Sequence, residues 1–138
     1  MLVVLLNFIT MKKQAILLSF LVVLLSAFKV GDGAFMKVDD AKHNFGFIHQ
    51  GDIVAYEYKF TNTGGAPLII SDCEVTCECT KVDFPKAPIA MGKTGVVKVT
   101  FDSKSAIDRQ ERTVLVKSNA TNGPVTLTFK CVVLKAKQ

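Results

Sequence analysis

Histidine, glycine and proline are scarce in this sequence. Its 138 residues include only 2 histidines, 9 glycines and 4 prolines. So few histidines leave little material for acid–base catalysis. The low glycine and proline counts exclude collagen-like and low-complexity chains. Hydrophobic residues make up 49% of the chain and charged residues 21%, which excludes a disordered tail and allows one folded domain.

Clusters of positive charge are also absent. The formal net charge is +5, and residues 1–34 hold three lysines and one aspartate, so a net +3 remains on the rest of the chain. The remaining lysines are scattered, and no basic stripe with interleaved aromatic residues is present. Such a stripe is the usual mark of nucleic-acid binding. We therefore expect no nucleic-acid partner.

An uncharged apolar run at residues 15–28 (AILLSFLVVLLSAF) directly follows the basic pair Lys12-Lys13. The run is too short to cross a bilayer comfortably, because a span needs about 20 apolar residues. A basic start, a short apolar core and small residues afterwards are the plan of a secretory signal peptide. We therefore predict that residues 1–34 are a signal peptide and that the rest of the chain is exported.

Both ends of this leader have alternatives. A second apolar stretch precedes the lysines, which makes Met11 an alternative start, and an uncleaved membrane anchor is the alternative to cleavage. Candidate cleavage positions follow Ala27, Gly33 and Ala34. No cysteine lies near the end of the apolar run, so the sequence does not support a lipid anchor on cysteine.

After the leader, turn residues recur about every ten positions and no helical period is sustained. Several segments instead alternate apolar with polar residues and are rich in β-branched and aromatic side chains, which is typical of β-strands. The predicted strands are residues 43–48, 53–61, 68–72, 95–102, 112–117 and 125–134. About seven short strands predict one antiparallel, immunoglobulin-like β-sandwich domain over residues 35–138.

The sequence also predicts the structure of two connections and the position of the last strand. Residues 62–65 (NTGG) predict a hairpin turn. The polar segment 102–112 predicts a solvated or recognition loop. In the last strand one face is fully apolar and is expected in the core, whereas Val132 and Leu134 lie on the opposite face. A terminal strand that is apolar on both faces is typical of a sheet edge or of a partner's docking site, and we expect strand addition there.

Three motifs of this chain resemble one known family. They are Phe45-Gly46-Phe47-Ile48-x-x-Gly51, then Phe60-Thr61-Asn62-Thr63-Gly64 followed by Pro67-Leu68-x-Ile70, and finally Cys77-Glu78-Cys79-Thr80. Together they are similar to the bacterial domain-of-unknown-function family fifteen-seventy-three, an immunoglobulin-like domain common in the Bacteroidetes envelope. The resemblance covers about residues 43–134. It implies fold and compartment rather than mechanism, since the family has no agreed enzymatic activity.

The chain departs from the family pattern at three positions. Glu78 stands where the family usually has a glycine between the two cysteines, Met91 replaces a proline before a turn glycine, and Cys131 replaces a glycine in the last strand. A glycine between two cysteines often serves an unusual backbone angle. The loop at Glu78 therefore need not perform any role that the family shares.

Four cysteines, at positions 73, 77, 79 and 131, allow three pairings. A Cys77–Cys79 bridge would be a small, strained and easily reduced ring. Cys73 paired with either of them would staple the loop after the third strand. Cys131 is expected to be a plain buried thiol. The alternative to any disulfide is that all four thiols are free, and the sequence does not choose among these states.

The same cysteines offer a metal site as an alternative. Cys73, Cys77 and Cys79 put three soft sulfur ligands on one loop, which suits Cu(I) or zinc, and His49 or His43 is a candidate fourth ligand. The spacing differs from the Cys-x2-Cys pair of a zinc knuckle. No Cys-x-x-Cys at a helix start is present to lower a thiol pKa.

The sequence thus predicts an exported, non-enzymatic immunoglobulin-like module that binds or scaffolds another cell-envelope protein, including as an accessory subunit of an outer-membrane or secretion assembly. No nucleophile-elbow motif surrounds any serine, and no cofactor is expected. The expected location is the periplasm or surface of a Gram-negative bacterium, with membrane contact only through a partner or an uncleaved leader. The alternative is a periplasmic copper, zinc or thiol-handling protein. The expected partner-binding residues are Cys77, Glu78, Cys79, Thr80, Val132 and Leu134.

Overall fold

Eight β-strands build the fold. The computed structural model describes residues 33–135, so the predicted signal peptide lies outside it except for its last two residues. The strands are β1 (Met36–Val38), β2 (Lys42–His49), β3 (Ile53–Asn62), β4 (Ile70–Val75), β5 (Thr80–Asp83), β6 (Thr94–Asp102), β7 (Asp108–Ser118) and β8 (Val125–Leu134). No helix occurs in this part of the chain, and hence none long and apolar enough to span a membrane.

The strands form two four-stranded sheets, ordered β1-β3-β6-β5 and β2-β8-β7-β4. Neighbouring strands are antiparallel except β2 and β8, which are parallel. The predicted immunoglobulin-like β-sandwich is confirmed. The sequence pattern missed β1 and β5, because strands of 3 and 4 residues are too short to show an alternation.

The core lies between the inner faces of the two sheets. The alternating residues of β6 and β8 are buried there, as the sequence predicts, and the Phe101 and Phe129 rings meet across the core with centroids 5.3 Å apart. Tyr58 donates its hydroxyl to the carbonyl of Thr128 at 2.9 Å, and burial raises the pKa of this phenol above its ordinary value. The tyrosine therefore links the two sheets through a polar contact inside an apolar layer.

The segment after β3 is not a hairpin turn, which corrects the expectation for residues 62–65. β3 pairs with β1 and β6, whereas β4 lies in the other sheet, so this segment carries the chain from one sheet to the other. The next strand begins at Ile70 and not at Leu68. Leu68 instead exchanges two backbone hydrogen bonds with Ile89, at 2.9 and 2.8 Å.

Asn62 holds this crossover in place. Its side chain is fully buried, and its amide nitrogen donates to the carbonyls of Ala66 at 2.8 Å and Ile89 at 3.0 Å. Its side-chain oxygen accepts the N–H groups of Gly64 at 3.1 Å and Phe35 at 3.3 Å. A buried amide that satisfies four groups on three segments has no apolar substitute, because each partner would lose its hydrogen bond.

The segment before β1 packs against the same crossover. Ala34 is buried, and its carbonyl accepts the N–H of Thr121 at 2.8 Å. The carbonyl of Gly33 accepts the N–H of Gly65 at 2.8 Å. Gly64 permits this approach, since a Cβ there would fall on the backbone of residues 33–35. The sandwich therefore includes residues 33 and 34.

β8 is a central strand, which corrects the expected edge position. β2 pairs along one side of β8 and β7 along the other, so its backbone groups are occupied by both neighbours. Strand addition along β8 is therefore excluded. The apolar residues on the outer face of β8 therefore do not mark a sheet edge. The register instead places Val132 beside Phe47 of β2, so the two form one apolar patch.

We predict that replacing Asn62 with alanine lowers the free energy of unfolding by about 3 kcal/mol, because it orphans several buried backbone groups. Asn119 is the matched control. It also links two backbone groups, accepting from Ile69 and donating to Pro67, but it is exposed. Asn119→Ala should cost about 1 kcal/mol or less, since water replaces both partners. Urea unfolding followed by circular dichroism measures both. Equal losses in the two variants would contradict the assignment of Asn62 as the key crossover contact.

Candidate functional site

A groove of about 870 Å³ crosses the outer face of the first sheet at one end of the sandwich. It lies where β3 begins, β5 begins and β6 ends. The register places Ile53 opposite Asp102 and Lys81 opposite Thr100, so these four side chains form its floor. The Cys77–Cys79 loop, defined as residues 77–79, borders one side, and Lys104 and Ser105 border another.

Backbone contacts hold the Cys77–Cys79 loop to the sheet. The N–H of Thr80 donates to the carbonyl of Cys77 at 3.0 Å, which closes a tight turn. The N–H of Asp102 donates to the carbonyl of Cys79 at 2.9 Å, which continues the β5–β6 pairing into the loop. Thr80 itself is buried. The loop is therefore an extension of the sheet and not a free connection.

Cys77 and Cys79 are joined in a disulfide, with their sulfur atoms 2.02 Å apart. Of the pairings that the sequence leaves open, this is the one that encloses a single residue, Glu78. The staple between Cys73 and either partner is absent, because Cys73 lies on β4 with a free thiol. The N–H of Cys79 also donates to Sγ of Cys77 at 3.1 Å.

The two other cysteines face the interior. Cys73 lies opposite Val116 in the β4–β7 register, and its burial together with the neighbouring Asp72 raises the pKa of the thiol to about 11, although Lys86 acts in the opposite direction. Cys131 is buried in β8, as the sequence predicts for a plain core thiol, and burial raises its pKa as well. Neither thiol is suited to form a reactive thiolate near neutral pH.

The proposed three-sulfur metal set is not assembled. Two of its sulfurs are bonded to each other, and residues 33–135 hold no group of three or more His, Cys, Asp or Glu side chains placed to bind a metal ion. The two histidines serve elsewhere. His43 stacks on Tyr56 with ring centroids 3.6 Å apart, and His49 lies beside Asp52.

The groove combines an apolar centre with charges of both signs. Ile53 exposes 68% of its surface, and it shares the groove with the disulfide. The charged side chains in the groove are Lys81, Lys104, Glu78 and Asp102. An apolar centre surrounded by polar groups is the usual anatomy of a protein–protein contact. Cys77 and Cys79, both half-buried, line the same groove as the two lysines.

Val132 and Leu134 belong to a separate patch on the outer face of the second sheet. The register sets Val132 beside Phe47, which is 75% exposed, and Leu134 beside His49. Sequence reasoning missed Phe47 because the β2 alternation breaks at a bulge near Gly46, whose φ of 71° is left-handed. A glycine inside a strand was the available signal of that bulge.

Sequence reasoning also missed Ile53. The alternation that puts Val54, Tyr56, Tyr58 and Phe60 on the inner face of β3 puts Ile53 on the outer face. An apolar residue at an outward position was therefore visible in the sequence. That it adjoins the Cys77–Cys79 loop was not, because the two segments meet only through β6.

One protein family and several solved structures are similar to this chain. The model of the family described as "Protein of unknown function (DUF1573)" matches residues 36–133, from β1 to β8, which confirms the resemblance carried by the sequence motifs. A comparison with curated proteins found no match.

Among solved structures, a protein of unknown function from Porphyromonas gingivalis W83 has a TM-score of 0.66 at 12% identity, covering 78% of this chain and 50% of that one. PapD-like domain 7 of human CEP192 has a TM-score of 0.59 at 10% identity, and the match covers 76% of this chain and 89% of that domain. The secreted serine protease VesC from Vibrio cholerae has a TM-score of 0.55 at 15% identity, and the match covers 83% of this chain and 25% of the protease. The chain thus spans half of the Porphyromonas protein, and at these identities the likeness shows the fold alone.

We predict that Cys73 is alkylated by iodoacetamide with a pH midpoint of about 11 in the folded protein, and near the ordinary thiol value of 9.0 in urea. Because the folded state holds this proton more tightly, the contribution of Cys73 to stability is complete below pH 9.0 and is lost as the pH rises towards 11. Peptide mass mapping separates Cys73 from Cys131, and Cys73→Ala provides the blank. A folded-state midpoint at or below that of the unfolded chain would refute the assigned environment.

Proposed function

The chain belongs to the DUF1573 family, and from that membership and the groove we propose that it is an exported, non-enzymatic immunoglobulin-like module that binds another protein of the bacterial cell envelope. The groove around Ile53 carries this proposal. A polypeptide seated there would cover Ile53 and the disulfide, while its polar groups meet the charged border.

The exposed isoleucine has an energetic consequence. Removing such a side chain from water contributes about 1.5–3 kcal/mol, which is the size of a typical binding hot spot. In the free protein little of this free energy is gained, because the Ile53 side chain remains 68% exposed. An unused apolar contact on a rigid sheet is therefore available to a partner and costs no rearrangement of the fold.

The charges around Ile53 favour a protein partner with a mixed surface. Lys81 and Lys104 bring two positive charges to the groove, and Glu78 and Asp102 bring two negative ones. Such a balance offers no field that would collect a polyanion. It suits the specific pairing of charges at the border of a protein interface.

Export is supported by the leader pattern and by the disulfide. Residues 12–27 carry the basic, apolar and small regions of a signal peptide. Disulfides persist in oxidising compartments and are rare in the cytosol. An envelope location for this module agrees with both observations, and the partner is then another envelope protein, including a subunit of an outer-membrane or secretion assembly.

We predict that Ile53→Lys abolishes capture of the partner from native envelopes in mild detergent, because it puts a charge at the apolar centre of the groove. Wild-type protein should retain one stoichiometric partner, identified by mass spectrometry. The matched control is Met91→Lys, which alters an equally apolar residue, 55% exposed, in the loop at the opposite end of the sandwich. Both variants should unfold at the wild-type urea concentration.

Two outcomes would count against the groove. Capture of the same partner in the same amount by Ile53→Lys would show that Ile53 is not in the interface. Loss of the partner in Val132→Lys/Leu134→Lys, with Ile53→Lys unaffected, would move the interface to the patch at Phe47 on the second sheet. A wild-type protein that is recovered alone would contradict stable scaffolding.

The packing of the N-terminal segment predicts where the leader is cut. Cleavage after Ala34 would remove a buried residue, and cleavage after Gly33 would remove the hydrogen bond that Gly65 donates to its carbonyl. We therefore expect cleavage after Ala27, so that Phe28 is the first residue of the exported protein. Intact mass spectrometry of protein from native envelopes measures this. A chain that begins at Phe35, or one that keeps residues 12–27, would contradict it.

A further inference from the structure

We propose that the Cys77–Cys79 disulfide is a site of thiol–disulfide exchange with an external dithiol. This activity is distinct from partner binding in the groove and does not rest on it. Its substrate class is an exposed pair of thiols that becomes oxidised while Cys77 and Cys79 become reduced. Four observations carry the inference: the small loop that the bond closes, the contacts that remain without it, the donors at its sulfur atoms, and its position in the groove.

The bond is poorly placed to stabilise the fold. The entropic gain from a disulfide grows with the number of residues that it encloses, and here the two cysteines are only two positions apart. The loop is also held independently of the bond, by the Thr80-to-Cys77 and Asp102-to-Cys79 backbone hydrogen bonds. Opening the disulfide therefore leaves the loop attached to the sheet.

A hydrogen-bonding group lies near each of the sulfur atoms that would leave as thiolates. The N–H of Cys79 donates to Sγ of Cys77 at 3.1 Å, and this bond would strengthen on a negatively charged sulfur. The buried hydroxyl of Thr80 lies 3.9 Å from Sγ of Cys79. Lys81 and Lys104 add positive charge in the same groove, where Glu78 and Asp102 oppose them. A better-stabilised leaving thiolate makes exchange faster.

The attacking thiol must come from outside. Both bonded cysteines line the groove and are half-buried, and Cys79 also packs against the core, so the open side from which a thiol approaches them is the groove. Of the free thiols of residues 33–135, Cys131 is buried in the core, and Cys73 packs against the core with its pKa raised to about 11 by burial, so neither readily supplies a thiolate near neutral pH. Neither is a suitable resolving thiol for this pair.

The exchange balances in two steps. A thiolate of the dithiol attacks Sγ of Cys79 and forms a mixed disulfide, while the Cys77–Cys79 bond breaks and its electron pair leaves on Sγ of Cys77, which takes up a proton. The second thiol of the dithiol, as a thiolate, then attacks the dithiol sulfur that is bonded to Cys79. This attack releases Cys79 as a thiolate, which takes up a proton. Two electrons and two protons pass to the cysteine pair, and the dithiol becomes a disulfide.

The test uses the purified oxidised protein and dithiothreitol as the dithiol. Samples are quenched in acid, the free thiols are alkylated with N-ethylmaleimide, and peptide mass mapping locates the labels. We expect Cys77 and Cys79 to gain labels in native buffer while the circular dichroism spectrum stays unchanged. A bond that resists dithiothreitol until urea unfolds the protein would overturn the proposal. Partner capture is a separate assay, so failure of one proposal leaves the other standing.

Single variants test the role of the donors. In Cys79→Ser the backbone N–H at position 79 still faces Sγ of Cys77, so we expect Cys77 to be alkylated by iodoacetamide with a pH midpoint below that of an ordinary thiol. Lys81→Gln and Lys104→Gln should each slow reduction of the wild-type pair severalfold. Lys93 is an exposed lysine at the opposite end of the sandwich, and Lys93→Gln should leave the rate of reduction unchanged. An ordinary midpoint for Cys77, together with equal rates in all three lysine variants, would also overturn the proposal.

Discussion

The apolar contact between the inner faces of the two sheets is the interaction on which the rest of the structure depends. β6 and β8 each bury an alternating row of side chains, and the Phe101–Phe129 pair joins the rows at the centre. Because the side-chain period of a strand is two, these buried rows also decide which residues face outwards. The position of Thr100 and Asp102 on the floor of the groove follows directly from the burial of Val99 and Phe101.

Alternation made the long strands and their inner faces predictable from sequence. It could not predict the order of strands in each sheet, because pairing depends on contacts between distant segments. That is why β8, apolar on both faces, suggested an edge and is in fact central: its outer Val132 lies beside Phe47 of a parallel neighbour. The NTGG segment misled for the same reason, since Asn62 turns inwards and bonds to residues on distant segments.

The candidate site was half visible in the sequence. The cysteines drew attention to the Cys77–Thr80 segment. The disulfide between Cys77 and Cys79 was not predictable, because it depends on the tight turn at Thr80 and on the hydrogen bond from Asp102. Ile53 carried an outward-facing signal without any indication of its neighbours. Only the β3–β6–β5 pairing brings Ile53 and the disulfide to the same groove, and that pairing is a property of the folded sheet.

The groove and the disulfide have a physical relation that favours a role beyond structure. The sheet already holds the loop through backbone hydrogen bonds, so the covalent bond between Cys77 and Cys79 is not needed to position it. Cys73 and Cys131, by contrast, lie against the interior as free thiols, although a bridge that enclosed more residues would have stabilised the fold further. The chain therefore carries its disulfide where the bond constrains the fold little and where it borders an open groove.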